Sequence, residues 1–247
     1  MSEFSEKNIL VTGGTRRIGE SIVRHLHQRG ARIIVHFNSS EIAARELQDE
    51  LNGIRSESVF LIHGDLRDIP AWINNLRQLV NKLEGLDCLV NNAARFYPTP
   101  MSSATDSQFY DLMESNLMAP FFLGQALAPH LRKTGGCIVN ITDIYADRPL
   151  AGHSIYSATK AGLVSLTRSM AAELGPEIRV NGVSPGAILW PEGDQDEIAH
   201  QRLVSSTPLK RVGDPMDIAR TVEFLVYNAD FITGQVINVD GGRTVSA

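Results

Sequence analysis

Disulfides, membrane helices and metal clusters all find little support in this chain. Only Cys88 and Cys137 occur among its 247 residues, too few for a disulfide framework, and both lie in apolar, strand-like runs. That usage suits a reducing compartment, and a cytoplasmic location is expected. No apolar run approaches the roughly 18 residues of a membrane helix. The polar start Met1-Ser2-Glu3-Phe4-Ser5-Glu6-Lys7 reaches a predicted strand at once, unlike a signal peptide. Charge of one sign is lacking too. Twenty-three Lys+Arg against 28 Asp+Glu give a net charge of −5, which argues against capture of nucleic acid or an anionic membrane. Of the seven histidines none has ligand spacing. His25 and His27 sit two apart and point to different helix faces, and His63, His130, His153 and His200 are isolated and read as ordinary side chains. HExxH and CxxC are absent, so no metal site is expected.

What the chain does contain is an alternation. β-branched runs at 8–12, 32–36, 59–63, 87–91, 137–141, 179–183 and 236–239 read as strands. Helical periods fill 18–28, 41–52, 69–83, 106–132, 156–174 and 215–227, with Pro120 expected to kink the long one. Near-continuous apolar strands joined by long helices predict a doubly wound parallel sheet of Rossmann type, with helices on both faces. No repeat, low-complexity stretch or linker divides it, so a single domain over 1–247 is expected. The one long irregular stretch, about 185–206, is a candidate substrate loop or lid.

The first strand runs into Thr12-Gly13-Gly14-Thr15-Arg16-Arg17-Ile18-Gly19, which opens a helix. Residues without Cβ let a backbone approach a pyrophosphate, and helix-start amides with the helix dipole favour the anion. A tight turn is the bland alternative, but the position after a first strand favours a dinucleotide site. Arg17 stands where a middle glycine is usual; either its guanidinium meets an anion or substrate acceptor, or it points into solvent. After the second strand comes His36-Phe37-Asn38-Ser39-Ser40, with no carboxylate before Glu41. An acid there would bind a ribose diol and repel a 2′-phosphate. Hydroxyl and amide donors, with Arg16 nearby, suit the phosphate, so NADPH is the expected cofactor. Asp65, after the third strand, either accepts from the adenine amino group or caps the next helix. Asn91-Asn92-Ala93-Ala94 leaves room for a ribose.

Tyr156 and Lys160 stand four apart on one helix face. A neighbouring ammonium favours the phenolate, so a lowered Tyr156 pKa is expected, and the lysine could also bind the nicotinamide ribose.

Together, Thr12–Gly19, Asn91–Ala93, Asn116, Tyr156/Lys160 and Pro185-Gly186 resemble the short-chain dehydrogenase/reductase family over about residues 7–243. The resemblance implies a cofactor site at Gly13, Thr15, Arg16, Arg17, Ile18, Gly19, His36, Phe37, Asn38, Ser39, Ser40, Asp65, Leu66, Asn92, Ala93, Tyr156, Lys160, Pro185, Gly186 and Ile188. It implies that Asn116 helps hold a water relay to Lys160. It also implies a homotetramer built on the long helices, where apolar Leu163, Leu166, Met170 and Leu174 suggest a second partner.

The family's usual serine, thirteen residues before the tyrosine, is Asp143 here. A carboxylate would repel the alkoxide formed from a ketone, whereas a carboxylic acid can protonate the nitrogen of a C=N substrate. Half-buried, it would hold its proton longer. The plain alternative is a cap on the turn into Ile144-Tyr145. With Arg17 and Arg95-Phe96-Tyr97-Pro98-Thr99-Pro100, Asp143 resembles the pteridine reductase branch, in which the aromatic matching Phe96 stacks on the pterin. Ser39 stands where that branch often has an arginine. Phe96 is expected to be an exposed aromatic on a rigid turn, with core packing as the alternative. Trp190 either closes the far side of the substrate or plugs the sheet. The implied reaction is NADPH-dependent reduction of a dihydropterin, with oxidised pterin or dihydrofolate as further substrates, to the tetrahydro form. Asp143, Tyr156, Lys160 and Asn116 would be catalytic, and Arg17, Phe96, Asp143, Tyr156 and Trp190 would meet the substrate. The rivals are a carbonyl-reducing member of the family and a non-catalytic NADP-binding sensor.

Overall fold

The computed structural model describes residues 6–189 and 196–246. Its centre is one seven-stranded sheet of β1 (Asn8–Thr12), β2 (Arg32–Phe37), β3 (Val59–His63), β4 (Cys88–Asn91), β5 (Cys137–Ile141), β6 (Arg179–Pro185) and β7 (Val236–Val239). All neighbours pair in parallel, in the order β3-β2-β1-β4-β5-β6-β7. The helices are α1 (Arg17–Gln28), α2 (Glu41–Ile54), α3 (Ile69–Lys82), α4 (Asp106–Met113), α5 (Ala119–Thr134), α6 (Ser154–Leu174), α7 (Glu197–Ser206) and α8 (Pro215–Tyr227).

Side chains of a strand alternate between faces, so a strand buried on both sides must be apolar throughout. β1 shows this: Ile9 and Val11 enter one core with Ile22 and Val23 of α1 and Val222 of α8. Leu10 enters the other with Leu76 of α3 and Leu123 of α5. Each such side chain contributes about 1.5–3 kcal/mol by leaving water.

The chain runs outward from β1 to β3, then returns to place β4 on the other side of β1. Crossovers leaving in opposite directions open a crevice beyond the carboxyl ends of β1 and β4, the usual ligand position in such sheets. The glycine turn and Asn92-Ala93 both lie at that crevice.

Three expectations need correction. The stretch 106–132 is not one kinked helix: a π-helical turn, Glu114–Met118, separates α4 from α5, and Pro120 lies in the first turn of α5. Proline has no N–H to donate to the Asn116 carbonyl four residues back, so regular pairing fails before it. Residues 185–206 are not irregular throughout, since α7 occupies Glu197–Ser206. Trp190 lies outside the described residues. The α6 apolar residues serve the chain's own core: Leu163 and Met170 are buried, and Leu166 and Leu174 pack against that core. Exposed apolar side chains stand instead around α4 and α5, at Tyr110, Met118, Phe121 and Phe122. Among the described residues no helix is long and apolar enough to cross a membrane, and no metal-ligating cluster occurs.

Candidate active site at the carboxyl edge of the sheet

The glycine turn is held from three sides. Thr12 Oγ1 accepts from the Asn92 and Ala93 amides, each at 3.0 Å. Asn92 Nδ2 donates to the Thr12 and Gly13 carbonyls at 2.9 and 3.1 Å. On the other side His36 is buried and stacked on Trp72. Burial pushes its pKa down to about 4, so the ring is neutral. Nδ1 then accepts from the Gly13 amide at 3.4 Å while Nε2–H donates to the Gly64 carbonyl at 3.0 Å. Side chains of His36 and Asn92 are thus committed to shaping the turn. Phe37 is buried against His63, and the Thr15 and Ser40 hydroxyls bond each other at 2.7 Å.

Gly13 has φ +62°, and a Cβ at Gly19 would come within 2.2 Å of the Gly13 carbonyl oxygen. The turn therefore keeps main chain exposed at the start of α1, whose preceding residue, Arg16, offers no side-chain cap. Open helix-start amides favour an anion. The residues present fit the diphosphate of a nicotinamide dinucleotide. A cleft of about 200 Å³ continues from Gly13 past His36, Asn38, Ser39, Asp65, Leu66, Ala93 and Arg95. Asp65 is held by Arg67 at 2.6 Å, and this pairing brings its carboxyl down to about 2. It also accepts from the Arg67 amide at 2.9 Å; Asp68, not Asp65, precedes α3. Arg16 is exposed beside the turn.

A second cleft, of about 890 Å³, is lined by Arg17, Phe96, Tyr97, Asp143, Tyr145, His153, Tyr156, Gly186, Leu189, His200 and Leu203 among others. Asp143 ends the segment after β5 with its two oxygens in different roles. Oδ1 accepts from the Tyr145 amide at 2.8 Å, the capping reading, and Oδ2 accepts from the Tyr156 hydroxyl at 2.8 Å. Burial raises the Asp143 pKa, against the opposing hydrogen bonds from Tyr145 and Tyr156 and the charges of Lys160 and Arg243. Lys160 is 3% exposed and donates to the Ile141 carbonyl at 2.9 Å; burial brings it down to about 8.

The expected lowering of Tyr156 is reversed. Burial, then the Asp143 carboxylate, pushes the phenol well above its ordinary value, and the Lys160 ammonium sits 5.7 Å from the ring centroid. In the protein alone Tyr156 is a neutral proton donor.

Phe96 is 47% exposed on the 95–100 turn, as expected of an aromatic displayed beside the cleft. Tyr156 meets it edge-on, with centroids 4.7 Å apart. His153, read from sequence as an isolated ordinary residue, stacks on it at 4.7 Å and 11°. Arg17 has φ +52°, so it keeps the left-handed backbone of the glycine it replaces, and its Nη2 donates to the Leu189 carbonyl at 3.4 Å. A β-carbon in that conformation costs roughly 1–2 kcal/mol, a strain found at functional positions.

Asn116, on the π-helical turn, spends its side chain on Arg95. Oδ1 accepts from the Arg95 amide at 2.8 Å and Nδ2 donates to its carbonyl at 2.9 Å. Nδ2 also reaches Thr159 Oγ1 at 3.3 Å. Pro185 closes β6, Gly186 donates to Val239, and Ile188 is buried in the core. Sequence reading missed His200 and Leu203 on α7; the acidic start Asp196-Glu197 was the available helix signal.

Comparison with known proteins agrees with this geometry. A family model described as enoyl-(acyl carrier protein) reductase matches residues 13–244. The 3-oxoacyl-(acyl-carrier-protein) reductase FabG of Staphylococcus aureus is 35% identical over 241 residues, covering 96% of this chain and 97% of the relative. Pteridine reductase 1 of Leishmania tarentolae is 33% identical over 278 aligned positions, 96% of each chain. L-fucose dehydrogenase of Mus musculus is 34% identical over 254, covering 98% and 90%. The chain belongs to the short-chain dehydrogenase/reductase family. It is an oxidoreductase of a family that uses nicotinamide cofactors.

Proposed function

We propose that the protein is an NADPH-dependent pteridine reductase that converts a dihydropterin to its tetrahydro form. The observation that carries this reading is the Asp143 carboxyl group, hydrogen-bonded to Tyr156 at 2.8 Å in the cleft beside a half-exposed Phe96. The nicotinamide supplies a hydride to ring carbon when bound. The residues then have to deliver a proton to ring nitrogen. Burial raises both Asp143 and Tyr156 toward their protonated forms, which biases the pair toward holding the proton that the ring nitrogen needs. The Lys160 ammonium stabilises the negative charge left behind. Phe96 supplies a face for offset stacking with a flat heterocycle, worth on the order of 1 kcal/mol beyond burial. The cofactor side of the reading rests on Asn38 and Ser39 in the adenosine cleft, where no acid follows β2 to bind a ribose diol. Asp65 is the nearest acid there, and Arg67 neutralises it.

A second reading, reduction of a 3-oxoacyl thioester, is favoured by the 35% identity to the FabG reductase. Against it stands Asp143 in place of a hydroxyl: once it has given up its proton, its charge repels the alkoxide that a carbonyl would become. A homotetramer is the assembly implied by the family, and the exposed Met118, Phe121 and Phe122 support it. The cytoplasmic reading rests on the buried, unpaired Cys88 and Cys137.

The deciding experiment follows oxidation of NADPH and NADH with biopterin, monapterin and folate at two reduction levels, alongside a 3-oxoacyl thioester. The expected result is turnover of dihydropterins with NADPH, at least about tenfold better in kcat/KM than with NADH. Turnover confined to the thioester overturns the substrate, and equal use of NADH overturns the cofactor.

A further inference from the structure

Phe96, with nearly half its surface open, touches His153 and Tyr156 with its ring, and the backbone that carries it lies between two neighbours held by one carboxylate. Asp111, near the end of α4, accepts from the Tyr97 phenol at 2.8 Å and from Arg95 Nη1 at 3.1 Å. Its side chain is only 15% exposed, and Arg67 makes a third approach at 3.3 Å. A surface ion pair alone contributes little. A largely covered carboxylate with two guanidinium groups and a phenol donating to it is a stronger anchor, because charge-assisted hydrogen bonds are roughly twice as strong as neutral ones.

Asp111 does not line the substrate cleft. It faces a neighbouring cavity of about 430 Å³ behind the 95–97 segment, and Tyr97 lines both. The Arg95 peptide is meanwhile bracketed by Asn116 on the π-helical turn. The segment carrying Phe96 is thus tied by its backbone on one side of the ring and by side chains on both.

We propose that Asp111 is a positioning residue: through Arg95 and Tyr97 it sets the plane of Phe96, and so the affinity for a flat ring, without touching substrate or cofactor. This rests on the reading of the substrate as a planar heterocycle. Arg67, which Asp111 shares with Asp65, keeps its pair with Asp65 when Asp111 is neutralised, and Arg95, which also lines the adenosine cleft, keeps its backbone bonds to Asn116.

The test compares Asp111→Asn and Tyr97→Phe with the wild type, using dihydrobiopterin and NADPH. Amide hydrogen exchange reports on the fold. In Asp111→Asn the KM for dihydrobiopterin is expected to rise about tenfold, with kcat and the KM for NADPH within about twofold. Tyr97→Phe, a milder change, should raise the same KM about threefold. Exchange should quicken at residues 95–97 and stay unchanged in β4 and β5. Unchanged dihydrobiopterin KM in both variants overturns the proposal. So does a joint loss in kcat and both KM values with faster exchange in β4 and β5, which marks general loosening. A wild type that ignores dihydrobiopterin overturns the pterin reading itself; exchange at 95–97 in Asp111→Asn then still decides whether Asp111 holds the segment.

Discussion

The two clefts at the sheet edge are built on opposite plans. Around the glycine turn the polar side chains are spent on one another: Thr12 on Asn92 and Ala93, His36 on Gly13 and Gly64, Thr15 on Ser40. What remains for a ligand at the turn itself is main chain. In the other cleft side chains line the open space, including a strained Arg17, an exposed Phe96, a half-buried Asp143 and a buried Tyr156. A site made of backbone tolerates few changes in shape and carries little choice of ligand. A site made of side chains can be re-specified residue by residue, and there this chain departs from its family's usual pattern.

The comparison breaks most sharply at Asp143. Asp143→Ser should lower kcat/KM for dihydropterin about 100-fold while NADPH affinity stays within about threefold, as removal of a general acid does. The pH profile sharpens this. An acid works while protonated, so wild-type kcat/KM falls as pH rises through the raised carboxyl pKa, and the serine variant loses that limb. Stability follows the same sign. Between the ordinary carboxyl value of 3.8 and the raised folded one, the folded protein keeps a proton that the unfolded chain has released. Stability therefore declines with rising pH across that window. An unchanged kcat/KM in Asp143→Ser removes the acid from the mechanism.

Next in size is the backbone cleft. In Gly19→Ala the new methyl would meet the Gly13 carbonyl at 2.2 Å and Asn92 Nδ2 at 2.6 Å. Fluorescence titration should show NADPH affinity down at least about tenfold, and denaturant unfolding a loss of about 1–3 kcal/mol. Retained affinity would mean that the turn is not the diphosphate cradle. The smallest effect has the opposite sign. Arg17→Gly relieves the left-handed strain at φ +52° and should stabilise the fold by about 1 kcal/mol. The same change should raise the dihydropterin KM a few-fold. A stability gain with no kinetic penalty would leave Arg17 without a substrate role.

The sheet was legible because strand burial writes itself into the sequence as apolar runs such as Ile9-Leu10-Val11 and Ile33-Ile34-Val35. The 95–100 turn was legible because two prolines exclude a helix. The π-helical turn at 114–118 was not: its cause, a missing amide at Pro120, reads locally as an ordinary kink. α7 was hidden by glycine and proline upstream of it. His153 gave no signal, since its partner Phe96 lies 57 positions away and meets it only once α6 is docked. Asp111 is similar; nothing near it in sequence points to Arg67, Arg95 and Tyr97.

By itself the sequence determined the parallel sheet, the glycine turn after β1 and the presence of a tyrosine, a lysine and an unexpected carboxyl group. These depend on local pattern and spacing, which the chain carries from residue to residue. Only the tertiary structure decided that His36 and Asn92 shape the turn, that Tyr156 holds its proton more tightly than a free phenol, and that Arg95 and Tyr97, on either side of Phe96, meet Asp111 of α4. Burial and through-space neighbours set proton affinity and side-chain position, and neither exists until distant segments meet.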